Sequence, residues 1–259
     1  MAVFTPDSVV NTAYHDSMNK IEASDVSSGP GGFNPPDTLA VLLSGGLDSA
    51  ILLGEEAARR PVLPIYVRSG LEWEEVELAH CREFLCRCHS GNILPLVVLD
   101  QPTRDLYGAH WSTGAGSVPD ERSADDAVYL PGRNLLLLCK AMLYCHLNSV
   151  AEIALAPLAG NPFPDASPGF FQSMAALVNQ AVGGRLKVLL PYRHLHKPEV
   201  LVRGKAMPLA WTFSCIQPIE GKHCGRCNKC HERQEAFARV GMADPTPYAQ
   251  APKEIPCTA

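Results

Sequence analysis

Thr38-Leu39-Ala40-Val41-Leu42-Leu43-Ser44-Gly45-Gly46-Leu47-Asp48-Ser49-Ala50-Ile51 decides the fold, because an apolar strand runs straight into Ser-Gly-Gly and then into a helix. Gly45 and Gly46 can adopt backbone angles closed to other residues and put no Cβ in a ligand's way. Successive N–H groups can therefore point at an anion beside the helix N-terminus. The hydroxyls of Ser44 and Ser49 add donors. The spacing is not that of the Walker loop, which needs four residues between its glycines and a following Lys, so hydrolysis of a γ-phosphate is disfavoured. An ordinary strand-to-helix turn with a capping Ser or Asp is the plainer reading of the same hexapeptide.

Working outward from this stretch, short β-rich runs alternate with helical ones. Strands are expected at 38–43, 62–67, 93–99, 152–156 and 186–190. Helices are expected at about 47–60, 72–87, 133–147, 169–182 and 197–206, with a long polar loop over 101–128. Such alternation predicts an α/β fold: a doubly wound, mainly parallel sheet with helices on both faces. Ligands on such sheets sit at the carboxyl ends of the strands, where the Ser-Gly-Gly turn lies. Residues 1–36 are polar and end in Ser, Gly and Pro, which reads as a flexible leader; 37–259 reads as a single domain.

Composition narrows the function. The chain has 259 residues, 46% of them hydrophobic, enough for one large α/β domain. No apolar run approaches a membrane span, and the N-terminus lacks the basic and apolar regions of a signal peptide, so the cytoplasm is expected and a membrane partner is not. A net charge of −5 offers no global basic field for nucleic acid, which favours a small-molecule substrate. Nothing in the sequence sets the number of subunits, and a homodimer is the candidate assembly.

Ten Cys in a chain without an export signal read as thiols or metal ligands. Cys215, Cys224, Cys227 and Cys230 form two overlapping Cys-x-x-Cys units with a fourth Cys nine residues upstream, the closed thiolate set of a structural zinc site. An iron–sulfur cluster and a redox dithiol are the competing chemistries, and His223 and His231 are competing ligands. The metal is expected to staple a short, irregular segment, 212–248. Cys81, Cys86, Cys88, Cys139 and Cys145 fall on helices and read as core or half-buried thiols, and Cys257 lies in a tail.

The loop Ser44–Ser49 resembles the PP-loop, SGGxDS, of ATP pyrophosphatases. With Pro131-Gly132-Arg133-Asn134, the run Pro191-Tyr192-Arg193-His194-Leu195-His196-Lys197-Pro198-Glu199-Val200 and the cysteine pattern, the chain resembles the QueC (formerly ExsB) family of 7-cyano-7-deazaguanine synthases over nearly all of 38–248. The resemblance implies an adenine nucleotide alpha hydrolase-like fold and an ATP-dependent carbon–nitrogen ligase of queuosine biosynthesis. Such an enzyme adenylates a 7-carboxy-7-deazaguanine carboxylate and uses ammonia to make the nitrile. It also implies ATP bound along Leu43, Ser44, Gly45, Gly46, Leu47, Asp48, Ser49, Ala50 and Ile51, with Asp48 orienting the loop or a magnesium ion. Arg133 and Lys197 are the expected cations for phosphate or substrate carboxylate. For Arg133 the alternative is a surface residue at a helix start, where its charge would oppose the dipole. For Lys197 it is an exposed turn beside Pro198. His194 and His196 read as packing or surface residues. Glu72, Glu74, Glu75 and Glu77 open a helix and read as complements to its dipole.

Departures from the family bear on the acceptor. Where the family strand leads to a Gly and then Asp-Tyr-Ser-Gly-Tyr-Pro-Asp-Cys-Arg, this chain reads Leu155-Ala156-Pro157-Leu158-Ala159-Gly160-Asn161-Pro162-Phe163-Pro164-Asp165-Ala166-Ser167-Pro168-Gly169-Phe170-Phe171, and Gln-Arg-His is replaced by Leu71-Glu72-Trp73. Phe163 and Asp165 are the expected substrate contacts, supplying a flat wall and a carboxylate for the amino edge of a deazapurine. Three other functions fit the same loop: adenylation of another carboxylate, RNA thiolation, and nucleotide binding by a non-catalytic regulator.

Overall fold

The computed structural model describes residues 34–251. The expected leader, apart from its last three residues, and Cys257 lie outside them. Five strands, β1 (Leu39–Leu42), β2 (Val62–Arg68), β3 (Val97–Asp100), β4 (Glu152–Ala154) and β5 (Lys187–Leu189), form one fully parallel sheet in the order β3-β2-β1-β4-β5. Among the described residues, five helices lie between the strands, α1 (Leu47–Ala57), α2 (Glu74–Arg87), α3 (Arg104–Tyr107), α4 (Arg133–Leu147) and α5 (Pro168–Val182), and α6 (Lys197–Arg203) and α7 (Asn228–Arg239) follow β5.

Strand alternation assigns the two layers. Leu39, Val41 and Leu43 pack with Ile51, Leu52, Leu78, Val200, Leu201 and Phe237, placing α1, α2, α6 and α7 on one face. Ala40, Leu63, Ile65 and Ile153 pack with Leu138, Met142, Phe171 and Met174 of α4 and α5 on the other. Central strands buried on both faces explain the unbroken apolar runs in the sequence.

β3 starts later than expected. Leu94 N–H still bonds Val62 O, but Pro95 has no N–H to give, and regular pairing begins only at Ile65 with Val97. That offset also admits Pro64 into an interior strand. The loop 101–128 is not featureless. It carries α3 and short 3-10 turns at Trp111–Thr113 and Asp125–Val128, and it is fastened to the cysteine segment by Asn228 N–H to Pro119 O (3.0 Å) and Glu121 N–H to Arg226 O (3.1 Å).

The cysteine segment corrects an expectation. It is not merely short and irregular, because its last ligand-bearing turn opens α7, twelve residues long. Arg233 of this helix is fully buried, donating to Thr246 Oγ1 (2.6 Å), Thr212 Oγ1 (2.8 Å) and Leu209 O (2.9 Å), which pins α7 to the chain on either side of it.

Candidate active site

The strand order reverses between β1 and β4, so their carboxyl ends leave a crevice. The Ser-Gly-Gly turn leaves β1 there. Gly45 takes φ +75°, and a Cβ at that position would lie 2.8 Å from Glu77 Cγ, so both its backbone angle and its contacts call for glycine. Ser49 Oγ accepts the Ser44 N–H (3.1 Å) and lies 3.0 Å from Ser44 Oγ, which ties the turn to the first turn of α1.

A cavity of about 540 Å³ opens over this turn, with an adjoining lobe of about 230 Å³ reaching toward β2 and α4. Ser44, Gly46 and Asp48 line both lobes, Leu47 the larger, and Leu43 and Ser49 the smaller. Gly45, Ala50 and Ile51 line neither: Gly45 packs over α2, and Ala50 and Ile51 are core residues of α1.

The three expected charged residues meet at this cavity. Lys197, the first residue of α6, donates to Asp48 Oδ2 at 2.5 Å and lies 3.3 Å from Glu232, which also pairs with Lys229 at 2.7 Å. Burial alone would lower the Lys197 ammonium, but Asp48 and Glu232 outweigh it and raise it. Burial would raise Glu232, but the two lysines pull it down to about 2. Lys197 and Glu232 are thus both charged at neutral pH. Asp48 Oδ1 and Arg133 Nε are buried without hydrogen-bond partners, and both residues line both lobes, so donor and acceptor capacity is left facing a ligand.

Phe163 lines the larger lobe and stacks on Tyr129 at 4.9 Å. Asp165 does not join it at the cavity wall. Its carboxylate accepts the Asn134 N–H (3.0 Å), and its carbonyl accepts the Asn134 side-chain amide (3.1 Å), so it caps the start of α4 beside Arg133. His196 stands at the cavity rim and caps α6 in a capping box with Glu199.

Sequence reasoning missed several cavity residues. Lys229, Glu232 and Arg239 arrive on α7. Trp73 stacks on Trp111 at 5.7 Å, the two rings only 13° from parallel, and both line the larger lobe. Glu72, Glu74 and Glu75 behave as helix-opening acids should: Glu74 accepts the Ser69 and Gly70 N–H groups, and Glu72 and Glu75 pair with Arg104 and Arg68. Glu77 does not. It is buried beneath the glycine turn, lines both lobes and accepts the Tyr66 hydroxyl at 2.6 Å. Burial raises its carboxyl to about 7, only partly countered by the Arg133 charge and the Tyr66 hydrogen bond.

Next to the cavity, the sulfurs of Cys215, Cys224, Cys227 and Cys230 all lie within 4.8 Å of one another, and all four residues are buried. Cys224 and Cys230 are 3.8 Å apart, and Cys227 and Cys215 are 3.9 Å apart. A tetrahedral zinc with bonds of about 2.3 Å spaces its sulfurs roughly 3.8 Å apart, so the cluster is already sized for that ion. Backbone N–H groups of Gln217, Cys224, Arg226 and Cys227 point at the sulfurs from 3.3–3.4 Å, the arrangement that spreads thiolate charge. His223 is no competing ligand by position. Its Nε2 accepts the Ser214 N–H at 3.1 Å, and burial pushes its pKa down to about 2, so it stays neutral. The segment touches the glycine turn directly, since Phe213 N–H donates to Gly45 O at 2.7 Å.

A five-stranded parallel sheet with Ser-Gly-Gly-Leu-Asp-Ser at its switch point and a tetracysteine segment bonded to that loop defines an α/β protein of the PP-loop type. Within that class the chain belongs to the QueC family: the family model described as queuosine biosynthesis protein QueC matches residues 38–241. Proteins named 7-cyano-7-deazaguanine synthase are similar to it over most of their length. The Ruegeria pomeroyi protein is 35% identical over 222 residues, covering 81% of this chain and 93% of the relative. That of Rhizobium johnstonii is 33% identical over 223 residues (80% and 90%), and that of Thiobacillus denitrificans 32% over 224 (81% and 97%). Among the described residues, no helix is long and apolar enough to cross a membrane.

Proposed function

We propose that this chain is an ATP-dependent carbon–nitrogen ligase that converts the carboxylate of a 7-carboxy-7-deazaguanine into a nitrile with ammonia. The reading rests on one juxtaposition: a glycine turn fit for phosphate opens onto the same aromatic-walled cavity as Asp48, Arg133 and Lys197. ATP lies with its phosphates over Ser44–Ser49, and the planar acceptor lies toward Trp73, Trp111 and Phe163. A carboxylate is a poor electrophile. Transfer of AMP to its oxygen supplies a leaving group, ammonia gives the amide, and a second activation removes the amide oxygen.

In this scheme the glycine turn holds the phosphates, and Arg133 neutralises charge on the phosphate or the substrate carboxylate. Lys197 fixes Asp48 Oδ2, leaving Oδ1 for a magnesium ion accompanying ATP. Asp165 acts on Arg133 through the start of α4. Zinc in the four-cysteine cluster is structural, because four thiolates leave no open position for chemistry. One observation favours a second acceptor: Asp165 is turned onto α4, bonded to Asn134, and so is not at the cavity wall to read an amino edge.

The test is release of pyrophosphate and AMP with ATP, ammonia and 7-carboxy-7-deazaguanine, with mass detection of the nitrile. Turnover is expected with this acceptor. Release dependent on RNA, or ATP binding without release, overturns the reading.

A further inference from the structure

Resting on the reading above, we infer that Glu77 is the catalytic base at the nitrogen, taking the proton that ammonia must lose at the activated carbon. Three carboxylates line the cavity among the described residues. Asp48 and Glu232 are each engaged by the Lys197 ammonium, at 2.5 and 3.3 Å. Glu77 instead meets a phenol, with Tyr66 hydroxyl at 2.6 Å, and lies against Gly45 of the glycine turn. Burial and the neighbouring Glu77 push the Tyr66 phenol far above its ordinary range, so it remains a hydrogen-bond donor and does not compete for the proton.

The charged and titratable groups around Glu77 are Arg133 from α4, Tyr66 from β2, and Glu74 and Cys81 from α2 itself. Their sum, with burial, leaves Glu77 able to exchange a proton near neutrality, where a base is most effective. Cys81 is itself pushed up by burial and by Glu77, and is not a competing base.

The same group serves both halves of the chemistry. In the first, the ammonia lone pair forms the C–N bond, one N–H proton passes to the Glu77 carboxylate, and the C–O bond to AMP breaks with its electron pair leaving on the phosphate. Adenylylation of the amide oxygen by a second ATP leaves two N–H protons on the nitrogen; the first is lost to solvent as the neutral imidate forms, and the last passes to Glu77 as the C≡N bond is completed and the second AMP departs with the C–O electrons. Between the two steps the Glu77 proton returns to solvent through the cavity.

The experiment separates the halves. In Glu77→Gln, whose amide oxygen still accepts the Tyr66 hydroxyl, ammonia-dependent nitrile formation should fall about a hundredfold. Carboxylate-dependent pyrophosphate release without ammonia should change no more than a few fold. Wild-type kcat/KM for total ammonium should rise with a slope of two in log units below pH 7, one unit from ammonia's own deprotonation and one from Glu77, and with a slope of one above it. The variant should show a slope of one throughout, and Glu77→Asp should restore the break. Equal loss of both partial reactions in Glu77→Gln, or an unchanged pH slope, overturns the assignment. Absence of pyrophosphate release by the wild-type chain would instead sink the proposed activity, leaving the two failures distinguishable.

Discussion

The glycine turn and the cysteine segment face one cavity but are built on opposite principles. Ser44–Ser49 is held by the elements around it: β1 is hydrogen-bonded on both sides, and α1 buries Ile51, Leu52 and Leu53 completely. Residues 212–248 join no strand ladder; they meet the rest through isolated bridges such as Asp120 with Cys227 and single bonds such as Phe213 N–H to Gly45 O, and are organised by four sulfurs and one buried Arg. The first region owes its shape to burial of apolar surface. The second owes it to a few strong, directional bonds, so it is the region an ion can switch on or off.

The largest expected effect breaks the second region alone. Cys227→Ser, or chelation of the metal, should remove binding free energy on the order of 10 kcal/mol from this segment. Hydrogen exchange should then show protection lost across 212–248 while β1, β2 and β4 stay protected. Elemental analysis of the untreated protein should find about one zinc per chain. Equal loss of protection in the sheet would mean that the two regions are one cooperative unit.

The converse change is Asp48→Ala or Ser44→Ala, expected to lower turnover over a hundredfold, about 3 kcal/mol of transition-state stabilisation, with melting temperature and zinc content nearly unchanged. Wild-type turnover in either variant would place the phosphates elsewhere.

Glu77, beneath the turn, sharpens the contrast through pH. Its folded pKa of about 7 lies above the unfolded value near 4.3. The native state therefore binds its proton more tightly, and that stabilisation is complete below about pH 4 and lost as pH rises through 7. Glu77→Gln removes this dependence. Relative to wild type, the variant should gain up to about 3 kcal/mol between pH 4.5 and pH 8 in denaturant titrations.

The smallest expected effect is Asp165→Ala, which removes the cap on α4 and should cost about 1 kcal/mol of stability. A larger loss in kcat/KM than that, at unchanged ATP affinity, would show that holding Arg133 in place is its main service.

The same division decides what could be read from sequence. Alternating apolar runs name the strands and most helices because period and burial are local properties. The four cysteines are legible because ligand spacing is local too. Helix α7 escaped because its inward face is built from Cys230, Arg233, Ala236 and Phe237, with a buried charge standing where the periodic pattern needs an apolar residue. Glu77 looked like its neighbours Glu74 and Glu75. Only the folding of Gly45 over α2 distinguishes it. Trp73 and Trp111 meet through a loop crossing that no periodicity encodes.

The Phe213 N–H bond to Gly45 O has a consequence during synthesis. Its partners are separated by roughly 170 residues, so at ordinary ribosomal speeds the donor emerges on the order of ten to thirty seconds after the acceptor. A nascent or truncated chain carries the glycine turn without the strut that completes it. The turn is thereby completed only in chains translated past Phe213.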